Sequence, residues 1–183
     1  DAKDAYTCGH SERVALMARE LAAIAGSPAA LVERIYMAGL LHDVGKIAVP
    51  DAVLSKPSRL TKDEYTFIMV HPERSYEILR SVEHLQTAML GARHHQEMWD
   101  GSGYPRKLKG EAIPLSARIV AVADVWDALT SNRPYRDGMP LEKAIAILES
   151  VKGSQLDADL VDIFIKKVRE RGIIPSRDYQ DLT

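Results

Sequence analysis

Apolar residues recur at spacings of three and four along this chain, and that period limits it to helices. Val14, Met17, Ala18, Leu21, Ala22 and Ala25 share one face of a helix that runs from just after His10 to about Gly26. Leu31, Ile35, Ala38 and Leu41 repeat the pattern in a second helix, with Ser27 as N-cap, Pro28 at the first helical position and an end near His42 to Gly45. The stretch from Lys46 to Leu60, with Pro50 and Pro57, lacks a period and reads as a loop. Thr61 with Glu64 forms a capping box that opens a third helix, Pro72 opens a fourth, and a fifth covers Leu85 to Arg93. Between Gln96 and Pro114 the residues Gly101, Gly103, Pro105 and Gly110 exclude continuous helix, so this is a long irregular loop. Helices resume over Ser116 to Leu129, Leu141 to Val151 and Asp159 to Arg171, where Gly172 can serve as C-cap. No segment alternates apolar and polar residues between hairpin turns, and the fold class is all-α, a bundle of about seven or eight helices.

At 183 residues and 46% hydrophobic content, the chain can bury one substantial core and is read as a single domain over 1–183. A formal charge of -2 supplies no basic field for polymeric nucleic acid, so phosphate recognition has to be local. One cysteine, Cys8, cannot form an internal disulfide, and no apolar run reaches the roughly 18 residues of a membrane span. The expected location is therefore the cytoplasm, without membrane insertion by this domain. With Asp1 and not Met at its start, the chain is expected to be a piece of something longer.

Chemistry concentrates on the histidines His10, His42, His71, His84, His94 and His95, five of which fall at helix ends or beside loops. Imidazole and carboxylate together suit first-row transition metals, and the adjacent His42 and Asp43 with the distant Asp124 offer that mixed set. In the run Leu40-Leu41-His42-Asp43-Val44-Gly45-Lys46, the two leucines drive the helix end into the core. Ionised groups are costly there without a partner, and a metal is such a partner. Asp43 has two oxygens with which to bridge two ions, and Gly45 permits a turn that brings the Lys46 ammonium toward a bound phosphate.

These residues, taken in order, resemble the HD superfamily of metal-dependent phosphohydrolases. The run Trp99-Asp100-Gly101-Ser102-Gly103-Tyr104-Pro105 looks like the loop that names its HD-GYP branch. The resemblance extends through Tyr6 to Ser11, Lys56-Pro57, His71-Pro72, His95, the stretch Ala123 to Leu129, and Arg133-Pro134-Tyr135-Arg136. It implies an HD-domain helical bundle that hydrolyses cyclic di-GMP to the linear dinucleotide, with a second cut to GMP open to it. It further implies metal ligation by His10, His42, Asp43, His71, His95 and Asp124, with Asp43 as the bridge and Asp43 and Lys46 as the catalytic pair. Lys46, Arg133 and Arg136 would face substrate phosphates, and Asp127 would contact a guanine edge or orient a water. Gly103, Tyr104 and Pro105 would shape the loop over the site and present it to signalling-protein partners. The implied cofactors are two divalent transition-metal ions, Fe or Mn first, with Ni, Zn and Mg as alternatives; they would acidify a water and neutralise the phosphate.

Two positions depart from the family's fullest pattern. Members that carry a third ion have a Glu four residues before the first His and a His-His-Glu run; here Tyr6 and His95-Gln96-Glu97 stand in those places. The expectation is therefore a binuclear centre, with His94 behind the ligands or exposed in preference to a substitute ligand. Two other functions remain compatible with the residues: a catalytically silent receptor or interaction module, and a hydrolase of a hybrid cyclic dinucleotide.

Overall fold

The computed structural model describes residues 9–132 and 137–171 of the chain. Among them are eight α-helices of eight or more residues and one single-turn helix: α1 (His10–Ile24), α2 (Ala29–Leu41), α3 (Asp51–Leu54), α4 (Lys62–Met69), α5 (His71–Leu79), α6 (Gln86–His94), α7 (Leu115–Thr130), α8 (Leu141–Val151) and α9 (Ala158–Arg171). The described residues contain no strand, only an isolated bridge between Lys152 and Leu156.

The apolar stripe read from the sequence faces inward as expected. Val14, Met17, Ala18, Leu21 and Ala22 of α1 are sealed against Ile35 and Ala38 of α2 and the near-continuous apolar run Ile119 to Ala123 of α7. Trp126 of α7 meets Phe164 of α9 edge to face, ring centres 5.3 Å apart, closing the far end of the core. Small residues set how closely the helices cross. A side-chain carbon on Gly39 would lie 2.6 Å from the Ala15 backbone, and one on Gly91 would lie 2.6 Å from the Ala38 methyl. These crossings draw the ends of α1, α2 and α6 together, and those ends carry His10, His42 and His95.

Local chemistry accounts for the start of α4. The Thr61 hydroxyl accepts from the Glu64 N–H while the Glu64 carboxylate accepts from the Thr61 N–H, which is the expected capping box. Two expectations change. Ser27 closes α1 and does not cap α2: its N–H donates to the Ala22 carbonyl and that of Gly26 to Ala23, with Gly26 at φ 82, so α2 starts from Pro28 without a side-chain cap. The segment read as a loop after Lys46 also contains structure, a 3-10 turn over Val44–Ala48 and α3 over Asp51–Leu54. Each is a turn or so of helix, too short to show a period. The proposed C-cap Gly172 lies outside the described residues.

The irregular 96–114 segment is tied down at several points. The Glu97 side chain, 4% exposed, accepts from the backbone N–H groups of Arg106 and Leu108 at 2.8 and 3.0 Å. The N–H groups of Trp99 and Asp100 donate to the carbonyls of Gln155 and Ser154, fastening the loop to the turn between α8 and α9. Arg106 and Arg93 both reach Glu73 on α5.

Candidate metal centre

His42 emerges at the end of α2, and Asp43 follows it in the sequence; α1, α5, α6 and α7 supply the remaining groups. The Asp43 carboxylate occupies the middle. Its Oδ1 lies 3.2 Å from His71 Nε2 and 3.8 Å from His95 Nε2, while Oδ2 lies 3.4 Å from His42 Nε2 and 3.9 Å from His10 Nε2. Asp124 Oδ1 stands 3.3 Å from His10 Nε2. All six residues expected to ligate metal are thus brought to one place. Two sets of three are close enough to share an ion, His10 with His42 and Asp124, and His42 with Asp43 and His95.

The far side of each ring explains which nitrogen faces the centre. Nδ1 of His42, His71 and His95 donates to the carbonyls of Gly39, Ile68 and Ala92, at 2.6, 2.7 and 2.8 Å. His10 Nδ1 donates instead to Asp127 Oδ2 at 2.7 Å. With the proton fixed on Nδ1, Nε2 of His42, His71 and His95 presents a lone pair inward, and that of His10 does so once it gives up the proton it shares with Asp124. Two consequences fit a cation between them. His42 Nε2 is buried without a hydrogen-bond partner, and the Nε2 atoms of His71 and His95 approach to 3.2 Å although both are acceptors. Buried polar atoms are almost always satisfied, so the residues present fit divalent metal ions.

The charges respond to this crowding. Burial would raise the Asp43 carboxyl, but His42, Lys46, His71 and His95 around it hold it well below the ordinary carboxylate range. Asp124 is likewise lowered against burial by its hydrogen bond to His10. Burial lowers His71, and it lowers His95 to about 3 with help from neighbouring His42 and His71. His10 goes the other way. Burial alone would lower it, yet hydrogen bonds to Asp124 and Asp127 and their charges raise it to about 9.

Several expected site residues take other positions. Asp127 does not meet a guanine edge in this arrangement: it is 1% exposed, and its oxygens accept from His10, from the Arg13 guanidinium at 2.7 and 3.1 Å, and from Ser131 Oγ at 2.9 Å. His94 is buried at 6% exposure and not at the surface, with Nδ1 3.4 Å from Glu97 Oε1. Gly45 is needed for contact and not for a left-handed turn. It donates to Ser75 Oγ at 2.8 Å, and a side chain there would collide with the His71 carbonyl. Lys46 Nζ lies 2.6 Å from Asp43 Oδ2, so the ammonium stands at the rim of the centre. Gly103 packs against the backbone of residues 96–98, where a side chain would not fit. Tyr104 donates its N–H to the Gln96 carbonyl and its hydroxyl to Gln96 Oε1 at 3.3 Å, and Pro105 follows it into the stretch held by Glu97. Burial raises the Tyr104 phenol above its ordinary value, so it stays a hydroxyl donor. Tyr6, Arg133 and Arg136 lie outside the described residues. Sequence reasoning missed Arg13 and the load carried by Glu97. The available signal was register, since Arg13 sits one turn after His10 as Asp127 does after Asp124.

The bundle thus gathers a His-Asp pair from the end of one helix with three further histidines and an aspartate from four others, a cluster able to hold metal. The chain belongs to the HD domain family, whose profile matches residues 2–160. RpfG of Xanthomonas campestris pv. campestris, a cyclic di-GMP phosphodiesterase response regulator, is 45% identical over 166 residues, covering 90% of this chain and 44% of that protein. The 3'3'-cGAMP-specific phosphodiesterase 3 of Vibrio cholerae serotype O1 is 41% identical over 165 residues, covering 87% of this chain and 35% of that protein. Among solved structures, the cyclic GMP-AMP specific phosphodiesterase V-cGAP3 of V. cholerae superposes with a TM-score of 0.70 at 20% identity, over 88% of this chain and 44% of that one. The likeness is one of fold. The chain spans less than half the length of these relatives. No helix of the described residues is long and apolar enough to cross a membrane.

Proposed function

We propose that this chain is the hydrolytic domain of a phosphodiesterase that opens cyclic di-GMP to the linear dinucleotide, with GMP as the product of a second cut. The observation that carries this reading is the convergence of four imidazole Nε2 atoms on the Asp43 carboxylate, with Asp124 beside His10 and His42 Nε2 orphaned. Two divalent ions held there, Fe or Mn first, would supply Lewis acidity at the phosphodiester and a water acidified to near neutral pH. The protein's own contribution is orientation and charge. Asp43 offers one oxygen to each side of the centre, and Lys46 at its rim is placed to meet the non-bridging phosphate oxygens. Gln96 is engaged by Tyr104 on both its carbonyls, which supports two ions and not three. Arg133 and Arg136 are proposed to face substrate phosphates, and the loop that contains Gly103, Tyr104 and Pro105 to face signalling-protein partners.

The intact ligand set speaks for an enzyme over a silent receptor. A hybrid substrate is the second reading, favoured by the 41% identity to a phosphodiesterase named for 3'3'-cGAMP. Chromatography of products from cyclic di-GMP and 3'3'-cGAMP, each with Mn, Fe, Ni, Mg and Zn, tests both. Linear dinucleotide from cyclic di-GMP is expected; preferential turnover of the hybrid would move the assignment, and no turnover of either with any ion would refute it.

A further inference from the structure

Three of the four imidazoles in the centre rest their outer nitrogen on a neutral backbone carbonyl three residues earlier in the chain. His10, the first residue of α1, departs from that pattern. Its outer nitrogen crosses to α7 and meets the Asp127 carboxylate. Arg13, one turn further along α1, grips the same carboxylate with two prongs, Nε to Oδ1 and Nη2 to Oδ2. Both members are buried, at 8% and 1% exposure. Gly9 leaves room for the guanidinium: it is left-handed at φ 70, and a side-chain carbon there would lie 3.1 Å from Arg13 Nη1.

This makes the two halves of the centre unequal. The half formed by His10, His42 and Asp124 has a carboxylate of its own and a second carboxylate behind one imidazole. The half formed by His71 and His95 shares Asp43 and His42 with the other but has no carboxylate of its own, and its rings are backed by neutral carbonyls. A carboxylate behind a ligating imidazole fixes its orientation and increases its basicity as a donor. We propose that Arg13 and Asp127 are positioning residues that make the His10, His42 and Asp124 position the first of the two to take up a divalent ion, and the tighter.

The inference rests on the two-ion reading of this centre, but its test does not depend on turnover. Metal-free protein is titrated with Mn, and free Mn is followed by electron paramagnetic resonance with equilibrium dialysis to count bound ions. Wild type should show two steps at least about tenfold apart. Asp127→Asn should weaken the first step by roughly 10–100-fold and leave the second in place. Arg13→Lys, which keeps the charge and loses the fork, should produce a smaller shift in the same step. His71→Ala should abolish the second step and spare the first. Unfolding of each metal-free variant separates this from general destabilisation, which would move both steps; if Asp127→Asn does not fold, Arg13→Lys decides. Two inseparable steps in wild type, or variants that shift both steps together or only the second, would overturn the inference alone. A wild-type chain that binds no ion would refute the two-ion reading itself.

Discussion

Asp43 and Lys46 are separated by one turn of a 3-10 helix, and that turn decides how the pair can work. The Lys46 N–H donates to the Asp43 carbonyl, and the ammonium returns to Asp43 Oδ2 at 2.6 Å, while a quarter of the Lys46 side chain stays exposed. The ammonium has three donors, so one held by a carboxylate can still donate to a phosphate oxygen that arrives beside it. If Lys46 stabilises charge that develops in the transition state, Lys46→Ala should lower kcat by about 10²–10³-fold with metal content unchanged. Steady-state kinetics and metal analysis on one sample check this, and an unchanged kcat at saturating substrate removes Lys46 from the chemistry. Much of this scale was legible in the sequence, because a His-Asp pair at the end of an apolar helix has few uses. Asp127 was not. Its spacing from Asp124 placed it near the centre, but its partners, Arg13 and His10, are 114 and 117 residues away, and only the packing of α1 on α7 shows that it faces inward.

The helices α1, α2 and α6 cross where glycine faces alanine, and those crossings set the spacing of the ligands. Gly39 serves twice, as the contact with Ala15 and as the carbonyl that orients His42. A side chain at Gly39 must push α1 from α2, since it would meet backbone and not the end of a flexible side chain. Gly39→Val should therefore cost about 1–3 kcal/mol or more by overpacking and weaken metal binding together. Urea unfolding of metal-free protein, paired with a metal titration, measures both; full stability with normal metal uptake would show that the crossing is looser than this. Glu97→Ala tests the loop in the same way. It leaves the Arg106 and Leu108 N–H groups without their acceptor, at about 1–3 kcal/mol for each that stays buried, and faster amide exchange at those two residues is the expected signature. Long helices such as α1 and α7 announced themselves by period, and α4 by its capping box. The 3-10 turn at Val44–Ala48 and α3 did not, because four or five residues repeat no pattern, and the 3-10 turn is held by the packing of Gly45 against α5.

For the whole molecule, the centre couples stability to pH through histidines that are shifted in opposite directions, His71 and His95 down and His10 up. His95 is lowered from 6.5 to about 3, so between those values the unfolded chain binds a proton that the folded one refuses, and stability falls as pH drops below 6.5. The lowered Asp43, Asp124 and Asp127 add to this loss further into acid, since their contribution is complete only above the ordinary carboxylate value near 3.8. His10 is raised from 6.5 to about 9, so its contribution is complete below 6.5 and is lost as pH rises through 9. Metal-free protein should therefore have its highest Tm near pH 6.5. Replacing His95 by Gln should flatten the acid limb, and replacing His10 by Gln the alkaline one. Metal changes the balance, because a ligand must give up its proton before it can bind. At neutral pH the ion competes with the proton on His10, and above pH 9 it does not, so affinity should rise across the window in which the metal-free fold weakens. At about one hundred times the dissociation constant, a bound ion adds about 2.7 kcal/mol. The Tm maximum of the metal-loaded protein should thus lie above pH 6.5, and calorimetry in buffers of different ionisation enthalpy should record proton release on binding at pH 7. A metal-loaded profile that runs parallel to the metal-free one, with no proton released, would mean that His10 does not ligate.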